Sequence, residues 1–280
     1  MRISFSTLGC PAWDIDRIVG AAVSSRYDAI DFRGYLDAVE IVDSPHFHGD
    51  ALRGIAARIR DAGLAVSCLS SGARMSAPDA AARARELDSM RRYADLCGPL
   101  GCRQVRIFGG STRGVADPVS GAAETLVAAA RIARDAGIEF LVETHDDWTD
   151  TAKLRAALDA AGRPDGIALL WDVHHPWAFR GEEPEASLRN LFPYVRNTHW
   201  KDSLPGPEGG RRPRLPGAGD VPLGGIFAAL RAAGYDGWFT LEWEKRWHPG
   251  IEEPEVAVPA FAAFLRGLAG EPDPAPRRPR

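Results

Sequence analysis

The sequence predicts an α/β protein built as a single eight-stranded (β/α)8 barrel. Eight short strand-like runs alternate with longer Ala-, Leu- and Arg-rich segments of helical period. Eight such pairs are the number that closes a barrel of this kind, which commonly spans about 250 residues. The chain has 280 residues, 45% of them hydrophobic and 26% charged, so it can bury one large core.

The elements follow one another in a regular order. The predicted strands are residues 2–6, 29–32, 65–69, 104–108, 139–143, 167–172, 195–199 and 238–242. Amphipathic helices are predicted between them, among them residues 80–96, 121–136, 151–161 and 223–233. Glycine follows several helices, as in AGL, AGI and AGYDGW. Because glycine takes the left-handed conformation at low cost, these sites predict turns from a helix into the next strand.

Two segments depart from this alternation. Residues 202–221 are a Gly-, Pro- and Arg-rich insertion after the seventh strand, which predicts a lid or interface loop. The tail EPDPAPRRPR, residues 271–280, has the composition of a disordered segment. No composition shift divides the remainder, so residues 1–270 are expected to form one barrel domain.

The overall composition excludes several classes of partner. A net charge of −4 and a pI of about 6.0 lack the basic surplus that nucleic-acid binding requires. The start MRISFSTLGC has no signal-peptide pattern, and no apolar run approaches the ~18 residues of a membrane span. The four cysteines form no CxxC pair, which favours reduced thiols. These features predict a cytoplasmic protein with neither a membrane nor a nucleic acid as partner.

Strands five to eight each end with a side chain that can bind a metal. The four residues are Glu143, Asp172, His199 and Glu242, in the strings LVETH, LLWDVHH, RNTHWKD and TLEWEK. The carboxyl ends of barrel strands share one face, so these groups are expected to converge there. Three carboxylates and one imidazole suit Mn²⁺ best, with Mg²⁺ or Co²⁺ able to substitute, since zinc sites usually carry more nitrogen or sulfur. The alternative is that each residue pairs with a neighbouring side chain.

Nearly the whole chain, from ISFSTLGCP to PAFAAFLRG, resembles the xylose-isomerase-like TIM barrels. The specific motifs are YDAIDFR, VETH, DVHH, HWKD and GAGDVPLGGIFAALRAAGYDGWFTLEWEK. That family comprises sugar phosphate isomerases and epimerases, including ketose 3-epimerases and hydroxypyruvate isomerases. The resemblance implies one divalent metal on Glu143, Asp172, His199 and Glu242, the two glutamates acting also as acid and base. It implies as well that His175 contacts a small carbohydrate or keto-sugar, and that the protein can be a homo-oligomer.

The implied chemistry is proton transfer through an enediolate. A metal that binds a carbonyl oxygen and the adjacent hydroxyl oxygen stabilises the developing enediolate. Carboxylates on either side of the substrate, Glu143 and Glu242, could then remove and return a proton. The sequence departs from ketose epimerases at two positions, because Thr149 and Pro205 stand where those enzymes have a glutamate and an arginine. This departure disfavours free ketohexoses as substrates.

Further candidates lie close to the four metal-binding positions. His145 could donate to a substrate oxygen or be an ordinary loop histidine. Of the adjacent pair, His175 is favoured for the substrate and His174 for a supporting role. Lys201 could neutralise an oxyanion or a substrate carboxylate, or could pair with Asp202 at the rim.

Two more positions carry open alternatives. Glu244 has the same strand parity as Glu242, but Glu242 directly follows the apolar run WFTL and is therefore preferred. Arg33 follows the second strand and could bind substrate or pack at the rim of the barrel.

Three other functions compete with isomerisation. AP-endonuclease relatives need extra histidines, and the strings LSSGAR and FGGS lack them where they would be required. A metal-assisted lyase or dehydratase acting on a keto-sugar or a dehydroshikimate-like substrate shares the first chemical step, so the sequence does not separate it. A barrel that only binds a ligand would predict an incomplete set of metal-binding residues, whereas all four positions are filled.

Overall fold

The structure, a computed structural model, describes residues 1–271. The barrel strands are β1 Arg2–Ser6, β2 Ala29–Phe32, β3 Ala65–Arg74, β4 Gln104–Phe108, β5 Glu139–Glu143, β6 Ile167–Asp172, β7 Val195–Trp200 and β10 Trp238–Leu241. They close in the order β1-β10-β7-β6-β5-β4-β3-β2. Two further strands, β8 Asp202–Pro205 and β9 Arg211–Arg214, form a separate antiparallel sheet. The predicted (β/α)8 fold is confirmed.

Nine α-helices are present in the described part of the chain. They are α1 Ile15–Ser24, α2 Gly49–Asp61, α3 Ala80–Leu100, α4 Pro118–Ala136, α5 Thr151–Ala160, α6 His175–Arg180, α7 Pro184–Leu191, α8 Leu223–Ala232 and α9 Pro254–Leu268. Helix α4 begins earlier than predicted because Asp117 caps it and Pro118 suits the first helical position. Gly63 and Gly137, which follow α2 and α4, have φ values of +72° and +67°, as the predicted turns require.

Two compact units make up the described structure, and the first contains residues 1–67 and the described residues from 199 onwards. In this unit β1 pairs in parallel with β2 and with β10. The register sets Ser6 opposite Asp31, so Asp31 lies near the carboxyl end of β2. Phe5, Ile30 and Phe239 are buried on these strands and belong to the apolar core.

The second unit contains residues 68–198, where β4 pairs in parallel with β3 and with β5, and β5 pairs in parallel with β6. Leu141, Ala168 and Leu170 form a buried apolar cluster on β5 and β6. Because side chains alternate along a strand, Leu141 and Leu170 share a face with the residues two positions on, Glu143 and Asp172. The apolar cluster therefore underlies the two carboxylates.

The insertion after β7 is more ordered than a plain loop. Asp202 is buried, and its carboxylate accepts hydrogen bonds from the backbone N–H groups of Ser203 at 2.8 Å, Gly217 at 2.9 Å, Gly219 at 2.9 Å and Val221 at 3.3 Å. A Cβ at Gly219 would lie 2.0 Å from Oδ1 of Asp202, so the close approach requires glycine. One carboxylate thus folds the segment into a hairpin, while its role as a lid or interface stays a prediction.

Four other expectations concern membrane helices, the cysteines, the C-terminal tail and the number of domains. No helix in residues 1–271 is long and apolar enough to cross a membrane. The four cysteines are buried, and none of them forms a disulfide. The predicted disordered tail falls almost entirely outside the described residues. A single domain over residues 1–270 stays a prediction.

Candidate metal centre

Glu143, the last residue of β5, is fully buried beside a buried arginine. The Nε atom of Arg106 lies 3.3 Å from Oε2 of Glu143. Arg106 also donates to the backbone oxygen of Ser71 at 2.8 Å, and its guanidinium lies 3.8 Å from the ring centroid of Phe108. These contacts fix the arginine, so a permanent positive charge stands next to the carboxylate.

Asp172 ends β6 and shapes the turn that follows it. Its Oδ1 accepts hydrogen bonds from the backbone N–H groups of His174 at 2.9 Å and His175 at 3.0 Å. The Nδ1 atom of His175 lies 3.0 Å from the backbone oxygen of Thr144 and 3.5 Å from Oδ2 of Asp172. The DVHH motif therefore places His175 against the carboxylate of Asp172, and His174 and His175 are both buried.

His145 lies in a row of rings beside Glu143. Its ring centroid is 4.7 Å from that of His175 and 4.6 Å from that of Phe108. The Nδ1 atom of His145 lies 2.8 Å from Oδ1 of Asp146, and this hydrogen bond lowers the pKa of Asp146. Asp146 has a φ of +52°, a left-handed conformation that costs energy for a residue other than glycine. The left-handed backbone of Asp146 thus keeps its carboxylate within hydrogen-bonding distance of the His145 ring.

His199 and Glu242 lie together in the first unit, and both are buried. The Nδ1 atom of His199 is 3.2 Å from Oε1 of Glu242. Its Nε2 atom is 3.2 Å from Oδ2 of Asp31, a fully buried residue of β2. The imidazole is therefore held between two carboxylates. Sequence reasoning did not single out Asp31, although an acidic residue in the apolar run AIDF is a signal that could have found it.

Lys201 binds the carboxylates of the eighth barrel strand. Its Nζ donates to Oε2 of Glu242 at 2.5 Å and to Oε1 of Glu244 at 2.8 Å. The carboxylate of Asp202, the partner considered in the alternative reading of the sequence, accepts hydrogen bonds from backbone N–H groups. Glu244 also lies 3.4 Å from Nε2 of His248.

Arg33 lies directly after β2 and is nearly buried. Its Nη1 donates to the backbone oxygen of Val39 at 2.9 Å and to Oε1 of Glu40 at 2.8 Å. These bonds span residues 33–40, so Arg33 organises this loop. Its role as a substrate-binding residue stays a prediction.

Within residues 1–271, two groups of side chains could hold a metal ion. The first consists of four buried residues, Glu143, Asp172, His199 and Glu242. Each offers one ligand atom, and these atoms all lie within 4.8 Å of one another. The second consists of Asp172, His174 and His175. In the first group three carboxylates at this separation repel one another when ionised, and a divalent cation would offset that repulsion. The oxygen-rich donor set therefore fits a divalent metal.

A (β/α)8 barrel with a buried cluster of carboxylates and imidazole defines a class of metal-binding barrel proteins. The chain belongs to the xylose isomerase-like TIM barrel family, which residues 20–268 match. Among the proteins that share this fold are sugar isomerases, epimerases and dehydratases. The family predicted from the sequence motifs is confirmed.

Three individual proteins illustrate the similarity. A protein named "Putative hydroxypyruvate isomerase" from Streptomyces coelicolor is 28% identical over 226 residues, 72% of this chain and 77% of that protein. Inosose dehydratase 1 of Bacillus cereus is 27% identical over 158 residues, and the match spans about half of each protein, 50% of this chain and 51% of the dehydratase. A crystal structure of the IolI protein with a bound zinc atom has a TM-score of 0.78 at 17% identity, over 96% of this chain and 98% of that one.

Proposed function

We propose that this protein is a divalent-metal-dependent isomerase or epimerase of a small sugar or sugar phosphate. The observation that carries the proposal is the buried group of three carboxylates and one imidazole, whose ligand atoms lie within 4.8 Å of one another. Similarity to a protein named as an isomerase over 72% of this chain supports it. Mn²⁺ is the proposed ion because oxygen ligands dominate the group.

Glu143, Asp172, His199 and Glu242 would hold the ion. When bound, it would supply a Lewis acid that favours the enediolate formed from a carbonyl and its neighbouring hydroxyl. The protein's own groups then carry the proton. Glu143 or Glu242 removes it from the carbon next to the carbonyl, and the other carboxylate returns one to the same or the adjacent carbon.

The surroundings of Glu242 suit one of these roles. Its Oε1 faces Nδ1 of His199 at 3.2 Å, whereas its Oε2 accepts a hydrogen bond from Lys201 at 2.5 Å. The two oxygens are therefore distinct, one on the side of the metal-binding imidazole and one on the side of the ammonium. We assign proton transfer to Oε2, where Lys201 stabilises the ionised carboxylate.

The ring cluster beside Glu143 suits substrate binding. The Nδ1 atom of His175 lies 3.0 Å from the backbone oxygen of Thr144, which orients the ring. If Nδ1 donates to that carbonyl, Nε2 is the acceptor or donor that a substrate hydroxyl can use. We assign His175 and His145 to the hydroxyl groups of the substrate.

A dehydratase is the second candidate, and His145 provides the observation that favours it. Asp146 holds this imidazole at 2.8 Å, so a proton donor separate from the two glutamates stands beside Glu143. Elimination needs such a donor for the departing hydroxyl, after the same proton removal from carbon. Similarity to inosose dehydratase 1 over half of this chain points the same way.

One assay tests both candidates. Protein loaded with Mn²⁺ is incubated in D₂O with a panel of ketoses, keto-sugars and their phosphates, and NMR follows deuterium at the carbon next to the carbonyl. Exchange with all oxygens retained supports an isomerase or epimerase, and loss of water supports a dehydratase. Absence of exchange across the panel, with Glu242→Gln as a matched blank, would contradict both.

A further inference from the structure

Asp31 is a buried carboxylate that the proposed chemistry does not use. It lies near the carboxyl end of β2 with no exposed surface, and its Oδ2 is 3.2 Å from Nε2 of His199. Burying an ionised carboxylate is costly unless a specific partner offsets the loss of water. The contact with a proposed metal ligand therefore calls for a role beyond packing.

The two nitrogens of the His199 ring face different carboxylates. Nδ1 faces Glu242, itself a proposed metal ligand, and Nε2 faces Asp31. An ionised carboxylate can only accept a hydrogen bond, so an imidazole with its proton on Nε2 would donate that proton to Asp31. The neutral imidazole then presents its lone pair at Nδ1, on the side of the other ligands.

Another aspartate, just before the same strand, has a different role. Asp28 is exposed, and its Oδ2 accepts a hydrogen bond from the backbone N–H of Ile3 at 2.8 Å. This bond joins β1 to the chain just before β2 and serves the fold. Asp31 lies near the other end of β2, and its carboxylate instead contacts the side chain of His199. The contrast separates a structural carboxylate from one directed at the metal centre.

We propose that Asp31 is a positioning residue that fixes the tautomer and the orientation of His199 for metal binding at Nδ1. The inference rests on the proposed function, because it requires His199 to be a metal ligand. A carboxylate on the second nitrogen makes the imidazole a stronger ligand, and losing such a partner commonly weakens metal binding about 10- to 100-fold.

The test compares Asp31→Asn and Asp31→Ala with the matched control Asp28→Asn. Isothermal titration with Mn²⁺ gives the dissociation constant of each variant, and circular dichroism checks that each is folded. Asparagine keeps an acceptor but loses the charge, so affinity should fall about tenfold in Asp31→Asn and further in Asp31→Ala. Asp28→Asn should bind Mn²⁺ as the unchanged protein does. In addition, ¹⁵N NMR of the metal-free protein should show the Nε2-protonated tautomer of His199, and Asp31→Ala should shift it.

The outcomes separate this inference from the proposed function. If the unchanged protein binds Mn²⁺ and Asp31→Asn binds it equally well, the positioning role is wrong while the metal centre stands. An equal loss in Asp28→Asn would show a general effect on the fold and would also overturn the role. If the unchanged protein binds no divalent ion, both proposals fail. Should Asp31→Ala not fold, Asp31→Asn alone decides.

Discussion

The two glutamates proposed for proton transfer each lie beside a buried cation, but the cations differ. Beside Glu143 stands Arg106, which is tied to a backbone oxygen and to an aromatic ring inside its own half of the barrel. Beside Glu242 stands Lys201, which shares its ammonium with Glu244. Arginine stays charged and rigid in proteins, whereas lysine is a mobile point charge whose protonation responds to its surroundings.

Two similar carboxylates are therefore supported by different cations. We infer that Arg106 mainly stabilises the folded barrel around Glu143, because removing it would take away the buried cation that neighbours a fully buried carboxylate. We infer that Lys201 mainly tunes the reactivity of Glu242, because its second partner, Glu244, is a quarter exposed at 25%. Substitution of each cation tests the corresponding inference.

Substitution of the two glutamates themselves should reduce activity most. Glu143→Gln and Glu242→Gln keep the shape of the side chain but remove its charge and its capacity to accept a proton. Each should slow proton exchange by about 10²- to 10⁴-fold, the usual contribution of general acid or base catalysis. NMR in D₂O measures the rate. Glu244→Gln is the matched control, and a loss as large as that of Glu242→Gln would reverse the assignment between these two residues.

Arg106→Met should chiefly reduce stability. The side chain is 1% exposed, so the change removes one partner of a fully buried ion pair. Breaking such a pair costs about 3 to 5 kcal/mol, and chemical denaturation would measure the loss in free energy of unfolding. An unchanged stability with strongly reduced turnover would instead give Arg106 a direct role in catalysis.

Lys201→Met should reduce turnover more than stability. Loss of the hydrogen bond to Oε2 of Glu242 is expected to lower kcat by about 10- to 100-fold, as for other charge-assisted contacts. Steady-state kinetics and a thermal melt on the same sample separate the two effects. A fall in melting temperature equal to that of Arg106→Met would remove the proposed distinction between the two cations.

The smallest effect concerns Asp146, whose pKa is lowered by its hydrogen bond with His145. A carboxyl whose pKa is lower in the folded protein than in the unfolded chain stabilises the folded state at pH values above the unfolded-chain pKa of about 3.9. This stabilisation is lost as the pH falls through the pKa of the folded protein. Asp146→Asn should therefore be less stable at neutral pH, by under about 1 kcal/mol because the side chain is partly exposed. The difference should close below about pH 4. Urea unfolding at several pH values would show it, and a gap that widens in acid would contradict the cause given.

Most of the fold could be predicted because its signals are local. Strand-like runs and glycines after helices mark element boundaries within a few residues, and the structure confirms five of the predicted strands residue for residue. The hairpin after β7 was missed because it depends on Asp202 binding backbone N–H groups up to 19 residues further along the chain. Composition alone does not reveal a contact between residues so far apart in the sequence.

Some residues of the candidate site could likewise be predicted from the sequence, and others could not. The four proposed metal ligands could be predicted because each ends a strand and the barrel brings strand ends to one face. Arg106 and Asp31 were missed because their partners lie on other strands, 37 residues away for Glu143 and 168 for His199, and no spacing rule links them. A charged residue inside an apolar strand, as in QVRIF and AIDF, is the signal that should have drawn attention.

Anomalous diffraction from crystals grown with Mn²⁺ would show directly whether four strand-end residues bind one metal ion. We predict a single strong peak per chain, with Glu143, Asp172, His199 and Glu242 each contributing an atom at about 2.0 to 2.3 Å. The absence of a peak, or a peak bound instead by Asp172, His174 and His175, would contradict it.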